Sequence, residues 1–340
     1  MDPITQGVLG AALPQATATA HKGAVALAGI FGFFAGMAAD LDVLIRSSAD
    51  PLLFLEYHRQ FTHSLIFIPL GGLLSAGVLQ ILIGRFGPRW RLPFSKVFLF
   101  CTLGYGTHGL LDFTTSYGTM LFWPFSEARY SASIISVVDP LMTLPILLLV
   151  IVAARKQSPV YARCALAWAG FYLTLGFIQH NAARDMAEGI AAGRGHQVER
   201  LTVKPSFGNI LVWKAVYQTK DRFYVDAVRV GIAPRVYPGV SVARLNAARD
   251  FPWLKPGSQE YRDLARFDRI SQGYLARNPD APNAVIDVRY SFLPNTIGAL
   301  WSIQLTPGAG PDRHVRFQTN RRNSRENMAT LWRLITGPSI

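Results

Sequence analysis

Cysteine is nearly absent: the 340 residues hold two, Cys101 and Cys164, both set in apolar stretches. A small buried thiol is the default in such places, so neither a disulfide framework nor a cysteine metal site is supported. Charge is scarce where the chain begins. After Asp2, the first 45 residues carry only Lys22, Asp40 and Asp42, too few for ordinary soluble helices. No basic segment opens the chain and apolar stretches recur far downstream, so the N-terminus is not read as a secretory signal. There is also no Walker pattern, no strand and Gly-rich helix signature for a dinucleotide, and no Gly-x-Ser-x-Gly elbow, which removes the commonest nucleotide and serine-hydrolase readings. Gly7, Gly10, Gly29, Gly32 and Gly36 recur instead at the small-residue spacing of closely packed helices.

Half of the residues are apolar, and they gather in runs. Ser64 to Ile83, Val97 to Phe113, Ile134 to Ala154 and Ala165 to Ile178, the last extending to about His180, can cross a bilayer, which takes about 20 helical residues. Ala24 to Leu41 is a shorter fifth. Ile4 to Ala20, interrupted by Pro14, is a sixth span or an interfacial helix. Arg85, Arg89, Arg91 and Lys96 mark one loop and Arg155, Lys156 and Arg163 another, against Arg46, Arg59 and Arg129 in the two opposite loops. The positive-inside rule makes the first pair cytoplasmic. His21 and Lys22 then lie on the same side, and Asp40, Asp42, His58 and His63 on the outer side.

The expected fold is an all-α polytopic membrane domain of five or six spans over residues 1–182. A small β-rich extramembrane domain over 183–340 follows, starting on the outer face. The second region has 23 basic and 13 acidic residues, against 11 and 8 in the first. A basic domain tethered to a bilayer is expected to touch anionic headgroups, so membrane lipids are the expected partners. Without zinc-finger spacing, an RNP-like strand or a recognition-helix pattern, nucleic acid is not expected. Val225 to Val230, Val285 to Phe292 and Trp301 to Leu305 read as strands, Tyr217 to Phe223 as a turn between strands, and Ser258 to Arg269 as a helix.

Ionisable side chains in apolar helices are costly, so each needs a reason. Asp40, Asp42, His63, His108, Asp112, Asp139 and His180 all sit at or near the outer end of a span. His108 and Asp112, at i and i+4, share a helix face; they can hold one divalent ion or form a pair in which the carboxylate orients the imidazole. Asp40 and Asp42, at i and i+2, cannot share an α-helical face. They converge only if the helix frays or turns, and otherwise mark where it meets water. His63 stands at the mouth of the next helix, with Thr62 and Ser64 as candidate caps. His58 is a second ligand or an acid–base group, and the paired donors of Arg59 suit an anionic part of a substrate.

Thr115, Ser116 and Tyr117 follow the His108–Asp112 helix and can bond ligands or substrate. Asp139, before Pro140, is a helix cap or a ligand. His180 and Arg184 end the last span, either over the pocket or as interfacial decoration. Trp123 and Tyr130 suit interfacial anchoring. His196 and His314 have no ligand spacing around them and are not assigned.

Six blocks carry a resemblance: Met1-Asp-Pro-Ile-Thr-Gln-Gly-Val-Leu-Gly10, Gly36-Met-Ala-Ala-Asp-Leu-Asp42, His58-Arg-Gln-Phe-Thr-His-Ser-Leu65, His108-Gly-Leu-Leu-Asp112, Thr115-Ser-Tyr-Gly118 and Val138-Asp-Pro140. In this order and spacing they resemble the membrane-bound metal-dependent hydrolases related to YdjM, over roughly residues 1 to 182. The resemblance implies a polytopic bacterial inner-membrane protein with Asp40, Asp42, His63, His108 and Asp112 as its polar core and His58, Arg59 and Asp139 beside it. Two blocks depart from the family pattern. Pro-Asp-x-Asp reads Ala39-Asp-Leu-Asp42, and His-Arg-Gly reads His58-Arg59-Gln60, changes of backbone stiffness that leave the ligands in place. Some relatives have His at the position of Gln6.

The expected activity is hydrolysis of a lipid, lipid-linked or amphiphilic substrate at the outer face of the membrane. It would use a divalent metal, Zn2+ first and Mn2+ or Mg2+ as alternatives, with His58 and Arg59 as the catalytic groups. The alternatives are a structural or sensory membrane protein with a non-catalytic metal site and, third, a transporter. Few polar groups in the cytoplasmic half of the spans favour a transport path.

Overall fold

The structure, a computed structural model, describes residues 1–19, 23–87, 92–320 and 325–337. His21, Lys22, Arg89 and Arg91, used above to orient the chain, lie outside the described residues. Helices α1 (Pro3–Thr17), α2 (Ala24–Met37), α3 (Leu53–Tyr57), α4 (Ile68–Gly84), α5 (Phe94–Thr114), α6 (Pro140–Lys156) and α7 (Pro159–Gly193) come first. Strands β1 (Arg200–Pro205), β2 (Val212–Gln218), β3 (Arg222–Arg229) and β4 (Arg235–Ala243) then form one antiparallel sheet in sequence order. After α8 (Ala247–Asp250) and α9 (Gln259–Ile270), strands β5 (Leu275–Arg277), β6 (Ala284–Asp287), β7 (Trp301–Gln304) and β8 (Arg316–Thr319) form a second, followed by α10 (Arg325–Thr336). Both sheets are open.

The chain divides into two compact units: Met1–Leu44, Tyr57–Phe177 and Phe207–Asn209 make the first, and Ile45–Glu56, Ile178–Ser206 and Ile210–Ile340 the second. In the first, Ala24–Leu44 and Leu65–Gly84 are long and apolar enough to cross a membrane; a third such helix, Pro159–Gly193, continues from the first unit into the second. On α4, Leu70, Leu73, Leu74, Val78, Ile81 and Leu82 are all exposed. A soluble helix would bury such a surface, whereas bilayer hydrocarbon covers it. Between helices the contacts are backbone on backbone. A Cβ on Gly32 would fall 2.3 Å from Gly10 O, and one on Gly104 2.4 Å from Gly32 O, so α1, α2 and α5 meet at the small-residue faces the sequence announces. Cys101 is buried in this core and Cys164 is exposed on α7.

In the second unit β2 is buried along its whole length between β1 and β3. The expected turn lies at 219–221, closed by Thr219 N–H donating to Arg222 O (2.9 Å), and α9 starts on the side-chain cap of Ser258. The strand expected over Val285–Phe292 stops at Asp287. There the carboxylate takes up the Arg289 N–H and guanidinium at 2.6–3.1 Å, and such local side-chain bonding competes with a ladder. Pro238 is tolerated in β4 because that strand is an edge. The segment 45–56, which joins Asp42 to His58 in sequence, belongs to this unit. Leu52 and Leu55 pack with Phe251, Leu254 and Phe267, and Arg266 holds Asp50 and Glu56, each at 2.8 Å.

Two buried lysines set a pH dependence. Lys214 Nζ donates to Ser291 Oγ (2.8 Å) and Thr296 O (2.6 Å). Lys204 Nζ has no hydrogen-bond partner among the described residues and lies 3.4 Å from the Tyr290 ring centre. Burial pushes Lys204 well below the ordinary lysine range, helped by Arg289 and Lys214 and opposed by Asp287; burial takes Lys214 down to about 7, again against Asp287. The unfolded chain binds protons at both amines more readily, so both cost stability while the unfolded amine is charged; the Lys214 cost is full below about pH 7, and both ease as pH rises towards the unfolded value of about 10.4. Lys204→Met should therefore stabilise the protein by about 1–3 kcal/mol and flatten the rise of Tm between pH 7 and pH 10. Identical thermal melts for the two proteins across that range would remove this account.

Candidate metal centre

Where α2 ends, residues Ala38–Leu44 form a 3-10 turn. Each residue advances about 120° there instead of about 100°, so positions i and i+2 move from near-opposite faces to about a third of a turn apart. This supplies the convergence that an α-helix denies Asp40 and Asp42. The two carboxylates nevertheless address different sides of His63. Asp40 Oδ1 is 3.4 Å from Nε2 of both His63 and His108, whereas Asp42 Oδ2 is 3.2 Å from His63 Nδ1.

Both imidazoles are oriented through Nδ1. The His108 Nδ1 atom is 2.6 Å from the Gly36 carbonyl oxygen, which can only accept, so the proton sits on Nδ1 and Nε2 presents its lone pair. His63 Nδ1 faces the Asp42 carboxylate and leaves its own Nε2 free in the same way. Outer groups of this kind fix the tautomer of metal-binding imidazoles.

His63 Nε2 lies 3.0 Å from His108 Nε2 and 3.2 Å from Asp112 Oδ2. His108 Nε2 to Asp112 Oδ2 is 3.6 Å, so the pair shares one face of α5 as its spacing predicts. Five separations among His63 Nε2, His108 Nε2, Asp40 Oδ1 and Asp112 Oδ2 thus run from 3.0 to 3.6 Å. A tetrahedral ion with bonds of about 2.0–2.1 Å needs ligand atoms about 3.3–3.4 Å apart. The residues present fit a four-coordinate divalent ion.

Asp112 carries the strongest sign. Its side chain is sealed from solvent. Oδ1 accepts from Gln6 Nε2 (2.9 Å) and from the α-amino group of Met1. Oδ2, turned to the two imidazoles, has no hydrogen-bond partner among the described residues. A buried carboxylate oxygen left without a donor is costly, and a cation between the four atoms relieves that cost. Arg59 Nε, 3.1 Å away, adds charge without hydrogen-bond alignment.

Around His63, burial acts to lower the imidazole's pKa, but Asp112, Asp40 and Asp42 outweigh it and raise it to about 10. Three carboxylates around one ring demand positive charge, which a proton or a divalent ion supplies.

Arg59 adopts a left-handed backbone (φ 62°), uncommon for a residue with a side chain. This turns its N–H to Asp42 Oδ2 (3.0 Å), while the guanidinium donates to Thr115 Oγ1 (3.0 Å) and lies over Tyr117. Gln60 has a negative φ of −99°. Thr62 Oγ1 donates to Asp42 Oδ2 (2.9 Å) and Ser64 Oγ to Phe61 O (2.7 Å), so both serve the loop and neither caps α4. His58 Nδ1 is 2.8 Å from Asp42 Oδ1. Ser116 is half-buried beyond α5.

The remaining candidates have other partners. Asp139 caps α6 through Met142 N–H (3.3 Å) and accepts from Tyr172 OH (2.8 Å). His180 packs edge-on against Trp213, and Arg184 pairs with Glu188. Sequence reasoning missed Tyr105, whose hydroxyl donates to Thr62 O (2.7 Å), and the accepting carbonyl of Gly36. Gln6, outside the candidate ligands, reaches the cluster through Asp112 Oδ1.

No curated protein and no solved structure matches the chain. A family model described as YdjM inner membrane protein matches residues 1–183, more than half of the sequence. With these residues carrying the His/Asp cluster beside candidate membrane-spanning helices, this multi-pass inner-membrane chain belongs to the YdjM family.

Proposed function

We propose that the chain is a metal-dependent hydrolase acting on a lipid, lipid-linked or otherwise amphiphilic substrate at the outer face of the inner membrane, with five or six spans and an extracytoplasmic C-terminal region. The observation that carries this is the four-donor shell of His63, His108, Asp40 and Asp112, in which a sealed carboxylate oxygen lacks a donor. Two imidazoles and two carboxylates in tetrahedral spacing suit Zn2+ better than Mg2+ or Mn2+, which prefer oxygen and higher coordination. Bound there, the ion would supply a Lewis acid that lowers the pKa of water from about 15.7 towards roughly 7.

The chain's own groups set the rest. Asp42 and the Gly36 carbonyl hold the two rings in place. Arg59, buried beside Asp112, offsets negative charge that develops on the substrate. Asp40 and His58 are each 22% exposed, while the side chains of His63, His108 and Asp112 are sealed, so a substrate approaches from the Asp40 and His58 side. Leu41, Leu44, Tyr57, Leu65 and Ile66 flank these residues in sequence and are exposed. Apolar side chains around a charged centre suit a substrate whose hydrocarbon stays in the lipid. Loop charge supports the outer face.

Protein purified in detergent without chelator should carry zinc and hydrolyse one member of a panel of phospholipids, lipid-linked phosphoesters and acyl esters. Chelation should abolish turnover, Zn2+ should restore it, and Asp112→Asn should lose both metal and activity. Turnover that persists in metal-free protein overturns the reading. A structural site is the second reading, because four protein donors also describe a closed shell. In that case chelation would lower Tm, and no member of the panel would be cleaved.

A further inference from the structure

We infer that Asp40 serves two cation positions: the four-donor shell, and a second, outer position formed by Asp40, Asp42 and His58. This rests on the metal-dependent reading above and gives His58 a ligand's role within it. One ligand atom from each of the three residues lies within 4.8 Å of the others. His58 Nδ1 and Asp42 Oδ1, 2.8 Å apart, stand at the spacing of neighbouring donors in an octahedral shell, about 2.9 Å for bonds of about 2.0–2.1 Å.

Three further features point the same way. The inner shell already has four protein donors, so an ion there would take up water only as a fifth ligand, whereas the outer set leaves positions open. The outer set has three donors and includes both partly exposed groups, Asp40 and His58, so solvent and substrate can complete it. The 3-10 turn brings two carboxylates together, an arrangement whose repulsion a second cation relieves. Asp42 can take both parts because it has two oxygens: Oδ2 is spent on Arg59 N–H, Thr62 and His63, and Oδ1 on His58 alone among its described partners.

The donors also set the ion. Two carboxylates and one imidazole, open to water, are harder than the inner set, so the outer position takes Mn2+ more readily than the inner one does.

The test titrates zinc-loaded, full-length protein in detergent with Mn2+, read by electron paramagnetic resonance and by elemental analysis after gel filtration. Wild type should keep one zinc and take up one manganese per chain. His58→Ala should keep its zinc and Tm while manganese affinity falls about tenfold or more. Protein loaded with Mn2+ alone should give the spin-coupled spectrum of two ions sharing a carboxylate, a readout that needs no variant. Zinc without a manganese equivalent, or equal manganese uptake by His58→Ala, overturns the second position and leaves the inner shell standing. Protein that takes neither metal overturns both.

Discussion

His108→Ala is expected to empty the metal centre and loosen the helices around it in one step. The ring supplies one of four donors through Nε2, and through Nδ1 it ties α5 to the Gly36 carbonyl at the end of α2 (2.6 Å). Loss of a group that only orients a ligand commonly costs 10–100-fold in metal affinity, so loss of the ligand itself should cost more than about 100-fold. Loss of the bond to the buried Gly36 carbonyl adds about 0.5–1.5 kcal/mol of destabilisation. Asp42→Asn should be milder at the inner ion, about 10–100-fold, because Asp42 acts there on His63 from behind. His314→Ala, whose partner Asp263 lies in the second unit (2.8 Å), should leave the zinc content unchanged. Zinc content per chain and Tm in detergent read these effects; a His108→Ala protein with its full zinc equivalent would sink the assignment.

The second large effect comes from a residue with no side chain. A Cβ on Gly109 would fall 2.3 Å from His63 O, far inside contact distance, and neither atom lies at the end of a flexible chain. Gly109→Ala must push α5 away from the loop that carries His63. Overpacking of this kind costs about 1–3 kcal/mol. Because a metal site tolerates displacements of only about 0.5 Å, zinc affinity should fall with it. Gly106→Ala is the control: it lies one turn earlier on the same helix, its Cβ would meet Ile68 at an ordinary 3.5 Å, and it should gain up to about 1 kcal/mol from helix propensity. Thermal melts and zinc content should separate the two variants; equal values would mean that His63 is not held by this approach.

Much of this was legible in the chain. The apolar runs mark the helices, because a bilayer accepts only segments that satisfy their own backbone. The i, i+4 spacing of His108 and Asp112 gives their common face, because helix geometry is local. The cap role of Asp139 was legible for the same reason. The strands were only partly so. Short β1, β2 and β5 have little alternation of their own, and β4 carries a proline that argues against a strand until its edge position is known.

By itself the sequence determined the inventory: the ionisable residues at one end of several apolar helices, the family pattern they follow, and a basic β-rich region after them. Tertiary structure decided their division of labour. Asp40 faces the Nε2 side of His63 and Asp42 its Nδ1 side, although they are two residues apart, because a 3-10 turn replaces the last turn of α2. Gln6 reaches Asp112 across 106 residues because glycine faces let α1, α2 and α5 touch. Segment 45–56, which looked like a plain outer loop, is part of the second unit's core. Local spacing encodes which face of a helix a residue occupies, while the distance between residues far apart in the chain is set by packing, which no local pattern records.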